Sequence, residues 1–322
     1  MSVERPGRRV LVLAHTGRAE VREVARACVR SLTEHGIAVR LLADEAADLD
    51  LGPCAATGGR VETTQPDDLP GEGCELVLVI GGDGSILRAA ELTHATSTPL
   101  LGVNLGHVGF LAEAEQEDVE STITAIVDRS YTAEDRLTLD VRVLQGKEVV
   151  ASTFALNEAS VEKAARERML EVVVEVDGRP LSRWGCDGVV CATPTGSTAY
   201  NFSAGGPIVW PEVEALLMVP LSAHALFARP MVVAPTSVLA IEMLADNTSS
   251  GVLWCDGRRT VDLAPGARIE IRRGERPVRL VRLHRAPFTD RLVAKFDLPV
   301  EGWRGAAERR RRDNGESGDD DA

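Results

Sequence analysis

The chain has 322 residues, and its 36 Lys and Arg against 49 Asp and Glu leave a formal net charge of −13. At ~150 residues per domain that length suggests about two domains, and a composition 44% hydrophobic and 26% charged is that of a folded globular chain, not a disordered one. The acidic excess argues against a nucleic-acid duplex as partner, but a local loop can still hold a small polyanion.

In chain order, Val10 to Ala14 reads as a buried parallel strand. Glu20 to His35 follows as a helix, with Val21, Val24, Ala25, Cys28, Val29 and Leu32 at helical spacing and Gly36 closing it. Ile37 to Leu42 is a second strand. The Gly-, Pro-, Asp- and Thr-rich stretch from Asp44 to Gly73 reads as an irregular surface excursion. Leu76 to Ile80 is a third strand, Ile86 to Leu92 a helix, Pro99 to Val103 a fourth strand and Asp118 to Val127 a helix. Strand, crossover helix and parallel strand in repetition predict a doubly wound α/β domain.

After Tyr131 the texture changes. Leu137, Leu139, Val141 and Val143 alternate with polar residues, as in a half-buried antiparallel strand. Glu171 to Val176, Val189 to Ala192, Val238 to Leu244, Val252 to Trp254, Arg268 to Arg272 and Val278 to Leu283 are further short strands of a mostly β domain. Phe288 to Phe296 is helical and is expected to pack back on the first domain. The expected division is therefore 1–130 plus 288–305 as the α/β domain, 131–287 as the β domain and 306–322 as a disordered tail. No C-x-x-C pair occurs, and Cys186 and Cys191 read as buried thiols. The apolar run Val10 to Ala14 is too short for a secretory h-region, and Ala215 to Ala234 is broken by Pro220, His224, Arg229 and Pro230. A cytoplasmic protein with no membrane partner is expected.

The sharpest local signal is Gly81-Gly82-Asp83-Gly84-Ser85, directly after a buried strand and directly before a helix. Glycines there let the backbone approach a phosphate, and the N–H groups of the turn and helix N-terminus favour negative charge. An Asp within such a loop can take a proton from an attacking hydroxyl or help place a metal ion. Asp-Gly is also a hairpin signal, but here a helix follows. The phosphate-loop lysine motif, the kinase H-R-D set, G-x-S-x-G, H-E-x-x-H and G-x-G-x-x-G are all missing, and only three lysines stand against 33 arginines. Gly102, Gly106 and Gly109 form a second Gly-rich loop, in which His107 could touch phosphate. Further on, Asn157-Glu158 offers a hydrogen-bonding pair for ribose or amide, and Asp187-Gly188 precedes a strand. Thr193 to Tyr200 carries four Ser/Thr hydroxyls, a Pro and a Gly, so it reads as a non-core loop of neutral donors closed by an aromatic face.

GGDGSILRAA (81–90), NLGHVGFLAE (104–113), LNEAS (156–160), CDGVV (186–190) and TPTGSTAYNFSAGGPIVWP (193–211) stand in an order that resembles bacterial NAD kinases, the actinobacterial members above all. HALFARPMVV and APFTDRLVAKFDLPVEGWRG extend the resemblance over roughly residues 8 to 305. Ser85 stands where the family most often has Thr, and the Gly52 to Gly71 loop and acidic tail have no family counterpart. The resemblance implies an α/β domain plus a β-sandwich-like C-terminal domain, assembled as homodimers or homotetramers. It implies transfer of the γ-phosphoryl group of ATP to the 2′-hydroxyl of the adenosine ribose of NAD+, with a divalent ion such as Mg2+. ATP is the expected donor, with inorganic polyphosphate left open as a second, and from the acidic excess no nucleic-acid partner is expected. Carried over residue by residue, Asp83 is the general base, with Gly81, Gly82 and Gly84 beside it and Arg88 meeting a phosphate. Asn157 and Glu158 bind the dinucleotide, and Asp187 lies near the nicotinamide ribose or amide. Thr198, Ala199, Tyr200, Asn201, Phe202 and Ser203 surround the substrate, and Arg168 and Arg258 contact dinucleotide as in some relatives. The rivals are a lipid kinase or phosphofructokinase sharing GGDG, and a catalytically idle NADP sensor.

Overall fold

A computed structural model describes residues 7–51, 61–106, 109–115, 118–164, 168–246, 250–283 and 287–300. β1 (Arg9–Ala14) is buried from Val10 onward, as a strand with helices on both faces must be. α1 (Ala19–Glu34) buries Val21, Ala25, Cys28, Val29 and Leu32 on one face. Gly36, at φ +81°, closes it and lets Ile37 N–H reach Leu32 O. β2 (Ala38–Leu42) then leads into α2 (Ala43–Leu49) and β3 (Val61–Thr64), both inside the stretch read as irregular. The helix shows no apolar stripe in the sequence, because one of its two buried side chains is the carboxylate of Glu45, whose burial depends on partners elsewhere. β4 (Leu76–Ile80), α3 (Asp83–Thr93), β5 (Leu100–Asn104), the two-residue β6 (Ala114–Glu115), α4 (Val119–Asp128) and β7 (Thr132–Arg136) complete this part of the chain.

The next strands are β8 (Leu139–Gln145), β9 (Glu148–Ala155), β10 (Glu158–Lys163), β11 (Leu170–Val176), β12 (Arg179–Cys186) and β13 (Gly188–Ala192). A 3-10 turn (Thr195–Thr198) and the short α5 (Tyr200–Ser203) interrupt them. They resume with β14 (Leu216–Leu221), β15 (Met231–Val233), β16 (Leu239–Met243), β17 (Gly251–Cys255), β18 (Arg259–Leu263) and β19 (Ala267–Arg273). They form two six-stranded antiparallel sheets, ordered β15-β14-β13-β10-β17-β18 and β12-β11-β16-β19-β8-β9. Alternate residues of both sheets, such as Val141, Val172, Ile241 and Ile269 from one and Val161, Val189, Met218 and Leu253 from the other, share one core. This is the packing of a β-sandwich. Trp184 is fully buried in it, and its indole N–H donates to Phe227 O at 3.0 Å.

β20 (Val278–Arg282) does not join the sandwich, although the sequence groups Val278 to Leu283 with its strands. It lies parallel to β5 and antiparallel to β7, giving a first sheet ordered β3-β2-β1-β4-β5-β20-β7 with β6 beside β5. The four exposed residues of β7 give no alternation to read, so the partner that draws β20 into this sheet is invisible in the sequence. α6 (Phe288–Phe296) returns to the first sheet's neighbourhood, with its Phe288 and Phe296 on Phe110. It also touches Phe202 and Trp210 of the second. Cys28, Cys186, Cys191 and Cys255 are buried free thiols, each pushed up to about 12 by burial. Among the described residues no helix is long and apolar enough to cross a membrane.

Candidate active site

β4 ends where the strand order reverses between β1 and β4, so its carboxyl end opens on the crevice in which open α/β sheets hold ligands. Gly81 takes φ +152°, and a Cβ there would lie 2.3 Å from Ser85 Oγ, so the turn demands glycine. Ser85 and Ile86 N–H groups donate to Gly82 O, which starts α3 at Asp83 and not at Ile86. Asp83 thus sits in the first helical turn, where free N–H groups favour an anion. Its carboxylate accepts the N–H of Phe110 at 3.0 Å and of Leu111 at 3.1 Å. A Cβ on Gly109 would come within 2.3 Å of Asp83 Oδ1, so that glycine is what lets the second loop close on the carboxylate. Gly102 is a packing glycine, its missing Cβ replaced by Ile86 Cδ1 at 2.5 Å. His107 lies outside the described residues.

The Asn157-Glu158 pair opens β10 and is buried. Two successive N–H groups, of Leu156 and Asn157, donate to the carboxylate of Asp256 at 3.0 and 2.7 Å. Gly196 packs on this junction so closely that a Cβ would stand 1.9 Å from Asn157 O. Glu158 Oε2 accepts Tyr200 N–H at 3.4 Å. Burial, and then the neighbouring Asp256 charge, pushes the Glu158 carboxyl up to about 8. At the other end of β10, Asp187 pairs with Lys163 at 2.5 Å, which holds its carboxyl below the usual range. The Tyr200 hydroxyl is pushed up by burial and by Glu162.

The hydroxyl-rich stretch is not the open loop that its composition suggests. Thr193, Ser197 and Asn201 are fully buried. Thr193 Oγ1 donates to Leu156 O, Ser197 Oγ to Val209 O, and Asn201 Nδ2 to Ser197 O and Pro207 O. Polar side chains enter a core when backbone carbonyls meet them, and these make the 3-10 turn rigid. Thr198 and Ala199 remain half-buried, while Tyr200, Phe202 and Ser203 face outward. A cavity of about 530 Å³ opens between this turn, the Phe110-Leu111 loop, β7, β20 and α6, with Thr198, Arg136, Arg282 and Arg291 in its lining. Its volume is in the range of small-molecule sites.

Sequence models of the ATP-NAD kinase N-terminal and C-terminal domains match residues 10–131 and 156–283. The chain is 59% identical over 314 residues to the NAD kinase of Thermobifida fusca, covering 95% of this chain and 94% of that one. It is 58% identical over 299 residues to NAD kinase 2 of Streptomyces avermitilis, covering 93% and 97%. The chain belongs to the ATP-NAD kinase family. It is an NAD+ kinase, a phosphotransferase that turns ATP and NAD+ into ADP and NADP+. The fold agrees with that of a yeast NADH kinase crystallised with NADH, at a TM-score of 0.82 and 23% identity over 93% of this chain and 90% of that one. An Archaeoglobus fulgidus NAD kinase crystallised with ATP gives 0.66 and 24%, over 90% and 98%.

Of the three arginines singled out by the family resemblance, two are tied to other elements of this chain and one stands clear of the other site residues. Arg88 pairs with the buried Glu45, whose other oxygen accepts Ala14 N–H at 2.8 Å, so its charge is already balanced. Arg258 donates to Glu91 on α3 at 2.9 Å and ties the sandwich to the first sheet's helix. Arg168 lies exposed ahead of β11, with no hydrogen bond or ion pair to another site residue among the described residues. The residue that sequence reasoning missed is Asp256. Its only signal is an Asp-Gly pair, and Asp177-Gly178 shows the same pair serving a plain hairpin turn.

Proposed function

We propose that this NAD kinase family member uses Asp83 as the general base for phosphorylating the 2′-hydroxyl of the adenosine ribose of NAD+. The carboxylate takes the hydroxyl proton while the ribose oxygen bonds to the γ-phosphorus of ATP. The bond from that phosphorus to the β,γ-bridging oxygen breaks, and ADP leaves. The observation that carries this reading is the Asp83 carboxylate, held by two backbone N–H groups immediately after the glycine turn. Those bonds use one lone pair on each oxygen and leave others open to a hydroxyl.

Asn157, Glu158, Asp187 and the Thr198–Ser203 segment are proposed as the dinucleotide-binding surface, with Gly81, Gly82 and Gly84 at the phosphates. A Glu158 carboxyl that stays protonated near neutral pH supports this, because it can donate to a sugar or amide oxygen without repelling a pyrophosphate. No group of three or more His, Cys, Asp or Glu among the described residues forms a protein cage for a metal. That donor set suits Mg2+ carried largely on triphosphate oxygens near Asp83, since Mg2+ is held by few carboxylates plus phosphates and water. When bound, the ion would neutralise charge on the transferred group. Exposed Leu226, Phe227 and Val232 around the β15 edge support assembly as a homodimer or homotetramer.

The test is NADP+ formation from NAD+, ATP and Mg2+, read with an NADP-specific dehydrogenase, for wild type and Asp83→Asn. The variant is expected to keep its fold and NAD+ binding while losing ~100- to 10,000-fold in kcat. Wild-type turnover by Asp83→Asn would end the general-base role. Replacing ATP by polyphosphate in the same assay reads donor choice.

A further inference from the structure

Asp83 is aimed by the N–H groups of Phe110 and Leu111, so whatever fixes residues 110–112 also fixes the carboxylate. Those residues are gripped from α6. Arg291 Nη1 donates to Phe110 O at 3.2 Å and to Ala112 O at 2.8 Å, and its Nη2 donates to Glu113 Oε2 at 2.6 Å. The Glu113 carboxylate is itself buried, and it also receives Arg282 Nη1 at 2.8 Å and Leu283 N–H at 3.2 Å. On the same helix, Phe288 and Phe296 lie 5.9 and 5.8 Å from the Phe110 ring. A planar guanidinium holds two carbonyls and a carboxylate from two nitrogens at a fixed spacing, whereas an ammonium has its three donors on one nitrogen at the end of a flexible stem and does not reproduce that spacing.

We infer that Arg291, 181 residues from the loop it grips, is a positioning residue for Asp83, setting the direction of the carboxylate through the carbonyls of Phe110 and Ala112. This rests on the reading of Asp83 as the base. Arg291 grips the loop from α6 as well as lining the cavity beside it, and its consequence for Asp83 is geometric. A base displaced by a fraction of an ångström meets the ribose hydroxyl off its line, and misplacement by 1 Å costs about 100-fold in rate. The aromatic contacts of Phe288 and Phe296 keep α6 against the loop when the guanidinium is lost, so the fold survives the change.

The experiment is a double-mutant cycle in the intact chain. Kcat and KM for NAD+ are measured for wild type, Arg291→Lys, Asp83→Asn and the double variant, with melting curves for each. Arg291→Lys is expected to lower kcat ~10- to 100-fold, with KM for NAD+ unchanged within about twofold. In the Asp83→Asn background the same substitution is expected to cost nothing further, because its effect passes through the missing base. Arg291→Met, which keeps part of the aliphatic stem but no donor and no charge, is expected to lose at least as much. An equal loss of kcat in both backgrounds would overturn the positioning role, since a lowered active fraction would persist without the base. So would wild-type kcat in a folded Arg291→Lys. Full turnover by Asp83→Asn alone would instead remove the general-base reading on which the cycle stands.

Discussion

Replacing Asp256 by Asn keeps the shape of the side chain but removes the charge around which β9, β10 and the β17–β18 turn meet. Its oxygens accept Leu156 N–H at 3.0 Å, Asn157 N–H at 2.7 Å and Arg259 Nη2 at 2.8 Å. All three partners are donors, so one must face the new amide NH2. Arg259 is the one that can yield, because it also donates to Phe154 O at 2.8 Å and has Glu91 at 3.7 Å. Losing that charge-assisted bond costs about 2 kcal/mol, and weakening the two N–H bonds to a neutral acceptor adds about 1 kcal/mol. A total of about 3 kcal/mol lowers the melting temperature by ~5–10 °C, read by differential scanning calorimetry or fluorimetry. The backbone of Asn157 is then held by a weaker, neutral acceptor, so KM for NAD+ rises. A variant that melts within a degree of wild type and binds NAD+ equally well would refute the reasoning.

Glu158 has its carboxyl raised from 4.5 to about 8 in the folded chain, so the stability it contributes is full below pH 4.5 and is lost as pH rises through about 8. Urea unfolding at pH 6 and pH 9 should therefore show wild type losing a few kcal/mol relative to Glu158→Gln; parallel curves would exclude the buried acid. Gly109→Ala drives a Cβ to within 2.3 Å of Asp83 Oδ1 and should cost at least ~100-fold in kcat with the melting curve little changed. Near-normal turnover would mean that the loop does not govern the carboxylate. The thiols of Cys28, Cys186, Cys191 and Cys255, all buried and raised to about 12, should resist iodoacetamide at pH 8 in the folded protein, as peptide mass mapping would detect.

The parts that sequence alone determined are those whose signal is local. β1, β4 and β5 are continuous apolar runs, α1 repeats its buried residues at helical spacing, and β8, β11 and β19 alternate. The glycine turn before Asp83 and the Asn157-Glu158 pair are likewise contiguous, and their order along the chain carries the family resemblance. Strands β7, β9 and β12 are edges or carry many exposed residues, so no hydrophobic period marks them. The hydroxyls of Thr193 and Ser197 looked like ligand donors because composition does not reveal that carbonyls of Leu156 and Val209 await them.

What only the tertiary structure decided is the network around the site. Asp256 meets Leu156 across 100 positions and Arg291 meets Phe110 across 181, and each is one acidic or basic residue among many until folding pairs it. Local sequence encodes the conformation of a segment. The partner of a buried charge is encoded by the whole chain, because burying that charge is tolerable only where a distant segment brings the opposite charge or a row of N–H groups to meet it.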